Sequence, residues 1–172
     1  MMFKRLALAA AVSLLAVSPA FAVEKVFTAK LSGDVETSKT GSKATGTARI
    51  VVDTDKKTVA MTMDFTGLKV ADLADGLVAR PMGPIHLHNY PPNADVVLVF
   101  PAPFGPGYVD TDKGFKVTVA HLPYSAGADL LQSKLSFDDF LAAMSSGSVV
   151  LNVHTDKFTS GEISGQVVSA AS

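Results

Sequence analysis

From Val26 onward the apolar and polar positions alternate in short runs, and the runs are broken by clusters of Gly, Ser, Asp and Pro. The cleanest is Thr58–Phe65, where Val59, Met61, Met63 and Phe65 fall on one side and Ala60, Thr62 and Asp64 on the other. A period of two places alternate residues on opposite faces of a strand, so this run predicts a half-buried strand. Seven more segments read the same way: Val26–Leu31, Ala44–Asp53, Pro84–His88, Asp95–Phe100, Gly114–Leu122, Ser148–Thr155 and Glu162–Val168. Short strands at this spacing predict an all-β fold, a single antiparallel Greek-key-like sandwich or barrel. One stretch departs from the pattern. In Ser136–Met144, Phe137, Phe140, Leu141 and Met144 follow helical spacing, Ser136 and Asp139 resemble a capping box, and Gly147 supplies a stop. This predicts one short helix, with Asp138 and Asp139 as first-turn charges. Thr66–Met82 and the proline-braced Pro101–Gly107 read as irregular, and no repeat or second domain is visible.

The N-terminus reads differently. Lys4 and Arg5 precede the apolar run Leu6–Val17, and Ala20-Phe21-Ala22 offers small residues at a cleavable bond, the pattern of a secretory signal peptide. Residues 1–22 are expected to be removed, leaving 23–172 as one exported domain, periplasmic or extracellular. No later segment approaches the roughly 18 apolar residues of a spanning helix, so no membrane insertion is expected after cleavage. Losing Lys4 and Arg5 makes the formal charge two units more negative than −1, and no basic run occurs elsewhere. Nucleic acid is therefore a poor partner. The chain contains no cysteine, which rules out disulfides, a lipid anchor on cysteine, and thiolate ligands or nucleophiles.

The remaining chemistry centres on histidine, of which there are four. His86 and His88 are two apart in a strand segment, so they project to one face while Ile85 and Leu87 project to the other. In Val149–His154 the same rule sends Val149, Leu151 and Val153 to the core and Asn152 and His154 to the opposite side. His86, His88 and His154 are thus candidate metal ligands, each able to offer one imidazole nitrogen at about 2.0 Å. Glu162 or Gln166, on a strand expected to form a hairpin with that of His154, could orient an imidazole through its second nitrogen. The plainer reading is that these are surface or hydrogen-bonding histidines. His121 reads as a strand-end histidine, and Met61 and Met63 as core residues rather than thioether ligands.

The early FTAKLSGDVE, the central IHLH and the terminal LNVHT followed by GEISGQV together resemble the CHRD domain, a module of exported bacterial proteins. The resemblance extends from Val26 to Val168, with departures at Ser164, Asn89 and Tyr90. It implies an all-β domain, usually without an assigned catalytic activity. A weaker similarity in site pattern, to the copper ligands of copper/zinc superoxide dismutases, falls on His86, His88 and His154. The zinc loop and the disulfide of those enzymes are lacking. The leading expectation is a non-catalytic domain that binds copper, with zinc second. The alternatives are a copper-only dismutase-like enzyme, with Arg80 as a cationic approach, and a structural or protein-binding module without metal.

Overall fold

The computed structural model describes residues 23–35 and 37–170. The segment 1–22, on which the signal-peptide expectation falls, lies outside them.

Nine strands form one antiparallel sheet that curls around a single core: β1 (Glu24–Ser32), β2 (Thr45–Asp53), β3 (Thr58–Thr66), β4 (Ile85–Asn89), β5 (Val97–Ala102), β6 (Tyr108–Asp110), β7 (Gly114–Pro123), β8 (Val149–Val153) and β9 (Ile163–Ser169). Their order across the sheet is β5-β4-β8-β9-β1-β2-β3-β7-β6. The all-β expectation holds, and each predicted segment contributes a strand. β6, for which the sequence shows no strand signal, is the ninth.

Alternation decides what each strand buries. Phe27, Ala29 and Leu31 of β1, Ile50 and Val52 of β2, and Val59, Met61, Met63 and Phe65 of β3 all face the core. The edge strands β5 and β6 are joined by a short connector. Across it the buried Tyr108 hydroxyl donates to the Ala102 carbonyl at 2.6 Å, tying the two edges together.

Among the described residues three short α-helices, α1 (Asp75–Val78), α2 (Tyr124–Leu131) and α3 (Phe137–Ser146), and one 3-10 turn, Val70–Asp72, accompany the sheet. α3 is the predicted one. Its first turn is held by Ser136, whose hydroxyl accepts from the Asp139 amide at 3.1 Å and donates to the Asp139 carboxylate at 2.6 Å. Gly147 ends the helix in the left-handed region at φ 77°, where a side chain would be strained. Phe137 and Phe140 of α3 pack with Tyr124 of α2 and Phe100 of β5, and the Tyr124 and Phe140 rings lie 4.9 Å apart. This aromatic cluster joins the helices to the β5 edge.

The strands β4, β8 and β9 differ from the rest because both of their faces are covered. On the inner face lie Ile85, Leu87, Leu151, Val153 and Ile163. On the outer face His86, Asn152 and Ser164 are also buried, in register across the ladder. Part of the cover is the hydroxyl-rich segment after β1. Ser38 donates to the Ser164 hydroxyl at 2.7 Å, Thr37 shares a hydrogen bond with the same oxygen, and Thr40 donates to the Glu162 carbonyl at 2.7 Å. The rest is the 155–161 loop between β8 and β9.

Candidate metal centre

β4 carries Ile85 and Leu87 into the core, and the pleat therefore turns His86 and His88 to the other face. On β5, opposite His88, the ladder slips by one residue, since Leu87 pairs with Phe100 but His88 with Leu98. Such a bulge bends and twists its strand locally. His154 follows directly after β8. It keeps to the ladder nonetheless, its amide donating to the Pro84 carbonyl at 3.0 Å.

The three imidazoles meet. Ring centroids are 5.1 Å apart for His86 and His154, 5.7 Å for His88 and His154, and 5.8 Å for His86 and His88. One ring nitrogen from each lies within 4.8 Å of the others. A metal at about 2.0 Å from three nitrogens in a tetrahedral arrangement would set them roughly 3.3 Å apart, so small rotations of the rings would close the set. His86 and His154 are 3% and 7% exposed, and His88 is half-buried. His121 takes no part: it sits exposed on the far side of the sheet order, in β7, where the β3 ladder shifts register and its own φ is 39°.

The hydrogen bonds fix which nitrogen is free. His154 Nδ1 lies 2.8 Å from the Thr159 carbonyl, an acceptor only, so Nδ1 carries the proton and Nε2 keeps its lone pair. The Gly83 backbone beside His86 acts in the same sense, opposing the effect of burial on that ring. The Nε2 atoms of His86, His88 and His154 are all buried, and none has a hydrogen-bond partner among the described residues. A buried unpaired polar atom costs about 1–3 kcal/mol, and three in one place make a donor set matched to a cation that prefers nitrogen.

Electrostatics agree with neutral imidazoles. Burial, and then the neighbouring His154 and His88, lower His86 to about 3; burial, and then His154, lower His88 to about 4. Burial also lowers His154, against the opposing hydrogen bond to Thr159.

The expected orienting role of Glu162 and Gln166 is not met. Glu162 lies near His154, but its two carboxylate oxygens accept from Ser42 at 2.6 Å and Thr155 at 2.7 Å. Gln166 donates to the Gly147 carbonyl at 2.6 Å. The group that orients His154 is a main-chain one, the Thr159 carbonyl, and main-chain groups leave no mark in a sequence. Sequence reading also put Asn152 on this face without recognising that it is sealed there. Its Nδ2 donates to the Ser160 carbonyl at 3.2 Å, and Gly161, at φ 123°, packs so closely on the carboxamide that a Cβ would overlap it. Beyond His88 the Tyr90 ring stacks at 6.3 Å, beside a cleft of about 420 Å³ lined by Thr37, Tyr90, Ser148 and Val150.

No curated protein and no solved structure matches the chain. A match to the CHRD domain spans residues 27–167, from the first core phenylalanine of β1 to the last core valine of β9. It takes in every strand and all three histidines of the cluster, and on that extent the chain belongs to the CHRD domain family.

Proposed function

We propose that this CHRD domain is an exported, non-catalytic copper-binding protein whose ligands are His86, His88 and His154. The observation that carries the reading is the convergence of three imidazoles, one ring nitrogen of each within 4.8 Å of the others, whose buried Nε2 atoms have no partner among the described residues. A purely structural role would have those nitrogens hydrogen-bonded within the sheet, and among the described residues they are not. Imidazole suits copper and zinc alike, but copper(II) stands at the top of the divalent affinity order, so copper is the first choice and zinc the second. Arg80, the cationic approach that a dismutase-like enzyme would use, is an exposed residue on the turn between α1 and β4, and nothing ties it to the histidines.

The test is copper titration of the wild type and of four single alanine variants. One copper per chain is expected, with affinity falling at least tenfold in His86→Ala, His88→Ala and His154→Ala and unchanged in His121→Ala. Unchanged affinity in His154→Ala would break the constellation. Superoxide consumption by the copper-loaded protein would replace the binding reading with the enzymatic one.

A further inference from the structure

We infer that the metal held by the three histidines keeps a fourth, exchangeable position for a small ligand, and that Asn152 holds a water there by accepting its hydrogen bond. The inference rests on the copper reading above and adds to it the coordination type and the residue that governs the open position.

Three observations lead to it. First, the cluster contains three donors: among the described residues no fourth His, Asp or Glu joins them. Three imidazoles leave a four-coordinate ion one position short, which is the arrangement of sites that accept an exogenous ligand rather than of closed structural ones. Second, the Oδ1 of Asn152 is buried, in a residue only 1% exposed, and has no hydrogen-bond partner among the described residues. Turning the amide over would not remove the anomaly, because it would set Oδ1 against the Ser160 carbonyl that Nδ2 now donates to. The orphan is therefore an acceptor waiting for a donor. Third, Asn152 is the direct ladder partner of His86 and stands two residues before His154 on the same face. Two of the three ligands flank it.

A metal-bound water meets all three requirements. Its oxygen fills the fourth position, one of its O–H groups donates to Asn152 Oδ1, and the buried acceptor is satisfied. His88 is the least buried ligand, and its ring stacks on Tyr90, which borders the cleft.

Azide on the copper(II)-loaded protein is the probe, because it replaces bound water, gives its own charge-transfer absorption, and has no proton to donate to Oδ1. The wild type should show a saturable one-to-one azide band. In Asn152→Leu, where the water loses its acceptor, azide should bind roughly three- to tenfold more tightly, the size of one net hydrogen bond. In Asn152→Asp, where the acceptor remains and gains charge, azide should bind more weakly than in the wild type. Opposite shifts in the two variants cannot come from general loosening of the fold, which would move both the same way. A copper-loaded wild type that shows no azide band overturns the open position, and equal shifts in the two variants overturn the role of Asn152. Failure of the wild type to take up copper at all overturns the copper reading itself, and the bound-metal measurement made beforehand tells that failure apart.

Discussion

The imidazoles of His86 and His154 lie 5.1 Å apart although 67 residues intervene in the chain, because the backbone of His154 continues the β4–β8 ladder one step past the end of β8, onto the Pro84 carbonyl. The third ligand is thus placed by main-chain pairing rather than by a flexible loop. Sites held by sheet positions are stiffer than sites held on loops, and the proposed centre should bind metal with little rearrangement.

Copper binding should hold in mildly acidic solution. Ordinary histidines, with pKa near 6.5, surrender metal to protons below that value. Here burial lowers His86 to about 3 and His88 to about 4, and it lowers His154 as well, so the loss of affinity should set in below pH 6.5 rather than at it. Copper titrations at three pH values check this, and a tenfold loss already at pH 6 would contradict it.

The metal-free protein should lose stability over the same range. Its unfolded chain takes up protons near pH 6.5 while the folded chain does not, so the full stability present above 6.5 declines as pH falls toward the lowered folded values. The slope is at most about 1.4 kcal/mol per pH unit for each of the three histidines. Denaturant midpoints at pH 7, 5.5 and 4.5 measure it, and a flat profile would mean that the histidines titrate normally.

Saturating copper should raise the melting temperature. A ligand at 100 times its dissociation constant stabilises the folded state by about 2.7 kcal/mol, which for a domain of this size corresponds to roughly 5–10 °C. Calorimetry with and without copper shows it, and the same addition to His154→Ala should give a much smaller shift.

Leu151→Ala should destabilise the fold by about 2–5 kcal/mol, since the side chain is completely buried against the inner core. Val168→Ala, at a half-exposed position of β9, should stay within about 0.5 kcal/mol. Urea melts of the two variants test the strand phase, and similar losses would show it to be wrong.

Glu162→Ala should free the cover over the outer face. It removes the acceptor shared by Ser42 and Thr155, leaving the buried Thr155 hydroxyl without its acceptor at a cost of about 1–3 kcal/mol. Limited proteolysis should then cut within 33–44 faster than in the wild type, and an unchanged digestion pattern would count against the carboxylate as the anchor of that segment.

Period-two alternation made the strand phases legible, and with them the fact that His86, His88, Asn152 and His154 share a face. Capping signals at Ser136 and Gly147 made α3 legible too. What the pattern could not carry was the fate of that shared face. A polar row on a strand reads as solvent-facing, and it becomes a second interior through the contacts of Thr37, Ser38, Thr40 and Ser42 with residues more than 100 positions away, together with the 155–161 loop. α2 escaped notice because it begins directly after Pro123 and carries Gly127 in its middle, and β6 because three residues are too few to show a period.

The pairing of β1 with β9 sets the order of events during biosynthesis. Phe27 lies beside Ser169 and Ser32 beside Ser164, so the first strand made waits for the last before its second edge is filled. His154 and the segment that covers it fall under the same constraint. A nascent or truncated chain could present His86 and His88 but not the assembled trio, and tight metal uptake would report that the whole domain, from first strand to last, had closed.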